Sequence, residues 1–126
     1  DAGLGRLVLA QEAADTATAA AAREGARTLL IEATGSLGGM GTSALVPAWC
    51  PFSDKERIIY GGLAERILKE SKATTPHVPN EQVDWVPINP EALKRIYDDL
   101  VTSAGANLRV VTPAQDGRKV TNASLA

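Results

Sequence analysis

Glu32 closes a short apolar run, Arg27-Thr28-Leu29-Leu30-Ile31-Glu32, and Gly38-Gly39 follow it six residues later. A carboxylate at the end of a buried strand can accept hydrogen bonds from ribose hydroxyls. Glycines next in the chain let backbone N–H groups approach a pyrophosphate, and a helix N-terminus there would add positive potential. A solvated glutamate beside a flexible loop is the other reading of the same spacing. The stretch from Thr34 to Ser43 holds four of the eleven glycines, so its backbone must turn sharply or lie against something. Other reactive residues are isolated. Cys50, in Trp49-Cys50-Pro51, reads as a buried structural thiol and, being single, cannot form an internal disulfide. His77, between Pro76 and Val78, reads as a surface-loop histidine. Asp54-Lys55-Glu56-Arg57 is a solvated polar segment, and Trp49 and Trp85 read as packing anchors. No Cys/His cluster could hold zinc, and no residue stands out as an independent acid, base or nucleophile.

The elements that must position Glu32 and the glycines are legible on both sides. Gln11 to Arg23 is alanine-rich and predicts a helix, because alanine loses no side-chain entropy there and its small surface allows close approach of a sheet. Gly25 sits where a helix end favours a left-handed residue. The apolar run to Glu32 predicts a buried strand of the parallel kind. A helix follows from about Gly62 to Lys72, with Leu63, Ile67 and Leu68 on one face. Residues 73 to 89, punctuated by Pro76, Pro79 and Pro87, predict an irregular connection. Asn89 as N-cap, Pro90 at the first helical position and Glu91 in the first turn open another helix. Leu93, Ile96, Tyr97 and Leu100 give it an apolar face and Gly105 closes it. Leu108-Arg109-Val110-Val111 is a further strand, and a first strand would lie near Leu7 to Ala10. Strands alternating with helices predict an α/β layer with a parallel sheet.

Composition excludes several classes. The 126 residues fit one ordinary domain, with 44% hydrophobic and 22% charged residues, as in a globular chain. A net charge of −2 argues against a nucleic-acid binder that needs a basic surface. Aromatics make up 4% of the chain, too few for a base-stacking platform. No stretch approaches the roughly 18 apolar residues of a membrane span, and a reducing, cytoplasmic setting is the natural expectation. The start at Asp1 and the tail after Asn122 read as those of a fragment.

The run from Ala21 to Thr42, Ala-Ala-Arg-Glu-Gly-Ala-Arg-Thr-Leu-Leu-Ile-Glu-Ala-Thr-Gly-Ser-Leu-Gly-Gly-Met-Gly-Thr, resembles the start of FAD-dependent oxidoreductases of the glutathione-reductase-like class. Ile59-Tyr-Gly-Gly-Leu-Ala-Glu-Arg-Ile-Leu and Ile88-Asn-Pro-Glu-Ala-Leu-Lys-Arg continue the similarity, which covers about residues 19 to 112. The resemblance implies a Rossmann-like dinucleotide-binding layer with a helical insertion at about residues 44 to 105. On this reading residues 1 to 126 form one incomplete FAD-binding domain. It implies FAD as cofactor, with Glu32 on the adenosine ribose and Ser36, Gly38, Gly39, Met40 and Thr42 lining the pyrophosphate and flavin side. The flavin would carry hydride or electrons to or from an unidentified substrate.

Two departures from the family pattern stand out. The family places Gly-x-Gly-x-x-Gly between the first strand and first helix; counted back from Glu32, those positions hold Leu9, Gln11 and Ala14. Side chains at the first two would obstruct the turn, and Glu12 adds negative charge. Gly3 and Gly5 offer an alternative register, but Gly3 lies 29 residues before Glu32, with Arg6 where a third glycine is wanted. The chain also stops after Asp116-Gly117-Arg118-Lys119-Val120, a turn and one short strand. These departures open a second reading, a non-catalytic remnant or interaction subunit that no longer binds FAD by itself. Its unfinished sheet edge would then be covered by another copy or a completing polypeptide.

Overall fold

The computed structural model describes residues 11–49, 52–54 and 56–110. In chain order they form α1 (Gln11–Arg23), β1 (Leu29–Glu32), α2 (Gly39–Thr42), β2 (Ala48–Trp49), α3 (Leu63–Ala73), β3 (Val86–Pro87), α4 (Pro90–Ser103) and β4 (Asn107–Val110). Two helix-to-strand units frame the rest. In each, a glycine ends the helix in the left-handed conformation, Gly25 at φ 84° and Gly105 at φ 83°. Gly25 N–H donates to the Ala22 carbonyl (3.0 Å) and Ala26 N–H to that of Ala21 (3.0 Å). Gly105 and Ala106 repeat the pattern onto Thr102 and Val101. This double capping satisfies carbonyls that the helix end would otherwise leave bare, and it turns the chain back along the helix. Each unit then delivers a strand, and β1 and β4 pair in parallel, Leu29 opposite Asn107 and Glu32 opposite Val110.

The entry to α4 follows its sequence closely. The Asn89 side chain accepts from Ala92 N–H at 3.1 Å, and Pro90, with no N–H to satisfy, takes the first helical position. Leu93, Ile96, Tyr97, Leu100 and Val101 are buried. They meet Ala14 and Ala19 of α1, Leu30 of β1, Leu37 and Ile67 of α3 in one cluster. Burying a leucine of this kind contributes about 2 kcal/mol. The small alanines of α1 let α1 pack against α4. A second cluster of Leu68, Val78 and Val86 lies beneath Trp49 and Phe52.

The middle of the chain departs from expectation in two places. Within residues 73 to 89, read as irregular, Val86-Pro87 pairs antiparallel with Ala48-Trp49. Two-residue strands carry no periodicity of their own, and this pairing is fixed by partners far away in the chain. Asp84 accepts from Phe52 N–H (2.8 Å), Ser53 N–H (2.9 Å) and the Ser53 hydroxyl (2.6 Å). Lys72 Nζ donates to the Asn80 and Gln82 carbonyls. Trp49 is an anchor as expected, packed on both clusters and donating from Nε1 to Ser71 Oγ at 3.0 Å. Trp85 is not: its backbone is left-handed (φ 53°) and the residue is 67% exposed. The tie at Asp84 and the pairing at Val86 direct it away from the core.

In the polar segment Asp54 to Arg57 the Asp54 carboxylate accepts from Glu56 and Arg57 N–H. Those bonds, Arg57's first, hold its carboxyl below the usual carboxylate range. His77 is exposed. The expected strands near Leu7 to Ala10 and at residues 116 to 120, and Cys50, lie outside the described residues. The described chain is thus a mixed helix and strand structure with a small parallel sheet, compatible with an incomplete α/β dinucleotide-binding fold. None of its helices is long and apolar enough to cross a membrane.

One fully buried side-chain atom has no hydrogen-bond partner among the described residues. Thr18 Oγ1 lies on the core face of α1, in a residue 0% exposed. Desolvating a hydroxyl without a hydrogen bond is unfavourable, so Thr18→Val, which keeps the shape, is expected to stabilise the fold by about 1 kcal/mol. Urea denaturation measures this, and a loss of stability would contradict the assignment.

Candidate cofactor-binding site

Glu32 ends β1 at the carboxyl edge of the parallel pair, the edge at which open α/β sheets bind ligands. It is 9% exposed. Its Oε1 accepts from Thr34 N–H at 2.5 Å, and the Thr34 hydroxyl lies 2.6 Å from the same oxygen and 3.1 Å from the Ser36 carbonyl. The hydroxyl has one proton and gives it to one of the two at a time. Thr34 therefore bends the chain back over the carboxylate and orients it. Oε2 has no hydrogen-bond partner among the described residues.

The glycine loop is built from the inside. Gly38 is left-handed (φ 93°), and a Cβ placed on it would meet Thr42 Cγ2 at 2.6 Å and Tyr97 Cδ2 at 2.9 Å. Only glycine allows the loop to press so closely on α4. Gly38 N–H donates to Asp15 Oδ2 at 2.8 Å, and Thr42 Oγ1 donates to the Leu37 carbonyl at 2.7 Å. Both side chains are buried, Asp15 at 1% exposure. Ser36 Oγ lies 3.2 Å from Ser43 Oγ across the loop mouth. The N–H groups of Gly39 and Met40, the first two of α2, have no acceptor among the described residues. With only four residues, α2 supplies little macrodipole, so the expected helix-end potential is replaced by the individual N–H groups.

Of the residues singled out in the sequence, Glu32, Ser36, Gly38, Gly39, Met40 and Thr42 thus fall on one strand end and one loop. Met40 is half-exposed, Ser36 lies at intermediate depth, and the two glycines and Thr42 are buried. Gly3 and Gly5 lie outside the described residues. Gln11 opens α1, and Ala14 is buried in the core one turn later. Two contributors escaped sequence reasoning, Thr34 and Asp15. A lone carboxylate on the face shared by Ala14, Thr18 and Ala19 was the available signal for Asp15.

A family model described as FAD dependent oxidoreductase matches residues 10–123. This chain belongs to the FAD-dependent oxidoreductase family. No curated protein and no solved structure matches it. Family membership implies FAD as the cofactor. The loop side of the site fits that group. A dinucleotide presents ribose hydroxyls that donate and a pyrophosphate that accepts; the loop offers an open carboxylate oxygen and two N–H groups awaiting acceptors. Among the described residues no group of three acidic, histidine or cysteine side chains could hold a metal in its place.

The steric demand at Gly38 is directly testable. Gly38→Ala is expected to cost about 3 kcal/mol, combining left-handed strain with overpacking against Thr42 and Tyr97. Gly35→Ala, equally left-handed but with nothing within 4 Å of the new Cβ, should cost only about 1 kcal/mol. Equal losses in denaturant unfolding would contradict the close packing at Gly38.

Proposed function

We propose that the chain is the FAD-binding portion of an oxidoreductase that passes hydride or electrons through the flavin to a substrate still to be identified. The observation that carries this reading is a strand-end carboxylate, Glu32, followed by a preformed loop whose Gly39 and Met40 N–H groups have no acceptor among the described residues. Glu32 would take the adenosine ribose, held in orientation by Thr34. Gly39 and Met40 would donate to the pyrophosphate from the backbone, and Met40, half-exposed, would lie toward the flavin. Ser36 would line the loop mouth. Gly38 and Thr42, whose polar groups are already engaged, would shape the loop, and Gly3 and Gly5 would belong to the turn before α1. Bound FAD supplies the redox chemistry, and the chain's own residues bind and orient it.

In this reading residues 1–126 form a partial Rossmann-like domain with a helical insertion at about 44–105, in a cytoplasmic protein. Leu9, Gln11 and Ala14, standing where glycines are expected, favour a second reading: a remnant of the same fold that needs another copy or a completing polypeptide to hold FAD. Visible absorption separates the two. Flavin bands at stoichiometric amount are expected on purified protein supplied with FAD, and a colourless chain would contradict the leading reading. Glu32→Gln should weaken FAD at least about tenfold, since hydrogen bonds to a charged acceptor contribute about 1.5–3 kcal/mol; unchanged affinity would remove Glu32 from the site.

A further inference from the structure

The Leu37–Gly38 peptide is gripped at both ends by buried side chains. Its carbonyl accepts from Thr42 Oγ1 at 2.7 Å and its N–H donates to Asp15 Oδ2 at 2.8 Å. A peptide unit is planar, so holding its oxygen and its hydrogen fixes the orientation of the whole unit. The next two N–H groups along the chain are those of Gly39 and Met40. We infer that Asp15 is a positioning residue that locks the glycine loop in one conformation before any ligand arrives, and so presents those two N–H groups to the FAD pyrophosphate.

The cost of Asp15 supports this role. Residue 15 lies on the core face of α1, beside Ala14, Thr18 and Ala19, and is 1% exposed. A carboxylate there loses its hydration and is tolerated only with hydrogen bonds in return. An alanine, the residue α1 uses at most of its positions, would pack without that cost. The carboxylate provides, among its interactions, a bond across 23 positions of chain to the one loop residue wedged against Thr42 and Tyr97. A loop ordered in advance loses less conformational entropy on binding, which raises affinity without a new contact to the ligand.

The pyrophosphate half of this inference rests on the proposed FAD reading, whereas the locking half does not. Amide hydrogen exchange by NMR on the full chain without cofactor, followed by FAD titration, tests both. In the wild type the Gly38 amide should exchange at least tenfold more slowly than that of Met40, which has no acceptor among the described residues. Comparable rates would overturn the lock without any variant. Asp15→Ala should speed Gly38 exchange at least tenfold while amides of α4 keep their rates, and it should weaken FAD about tenfold. Asp15→Asn keeps a neutral acceptor and should retain both properties within about threefold. Gly38 protection that survives in Asp15→Ala, or FAD affinity that does not change, would overturn the inference. A wild-type chain that takes up no FAD would end the cofactor reading, and the exchange rates would still decide whether Asp15 locks the loop.

Discussion

At Gly38 the chain passes between Thr42 and Tyr97 with no space for a β-carbon, and much of the structure is arranged around that passage. Tyr97 is available there because α4 is anchored through its whole apolar face, from Leu93 to Val101, against α1, β1 and α3. The passage in turn sets where the loop leaves β1 and where α2 begins. Moving α4 by the width of a methyl group would open or close it. Close-packed interiors transmit such shifts rather than absorbing them, so the loop geometry is a property of the whole core.

Polar side chains bonded to the backbone reinforce this arrangement. Buried Asp15 and half-buried Asp84 accept from backbone N–H groups 23 and 32 positions away in the chain, joining segments that are otherwise independent, whereas Thr42 and Glu32 hold the turns of their own loop. The ion pairs follow another pattern. Arg57–Asp54 is local, three positions apart outside the helices, and Lys69–Glu65, Arg66–Glu70 and Lys94–Glu91 each span a single helical turn at the surface. Exposed pairs of this type contribute a few tenths of a kcal/mol. Position in this fold is set by side-chain hydrogen bonds to the backbone, and charge pairing at the surface only trims it.

Legibility in the sequence followed the range of the interaction. Asn89-Pro90-Glu91 and the glycines at 25 and 105 act within a turn of helix, and the structure has them where the residues say. β1 and its terminal Glu32 were legible because a buried parallel strand needs an apolar run. The β2–β3 pair was not, since each strand owes its existence to the other and to Asp84. Trp85 read as an anchor by residue type, but its left-handed backbone turns it outward. Asp15 was hidden because an alanine-rich helix gives little contrast between its faces, so one carboxylate does not announce whether it faces water or core. The loop's missing macrodipole came from a boundary that no pattern marks, the end of α2 after four residues.

In the proposed reading Glu32 and the glycine loop recognise chiefly the adenosine ribose and pyrophosphate of FAD. Titrating the full chain with FAD and, separately, with riboflavin, which lacks both groups, tests this most directly. FAD should bind at least about 100-fold more tightly, as expected for the loss of a few hydrogen bonds to charged partners. Equal affinity for the two, or no affinity for FAD, would contradict it.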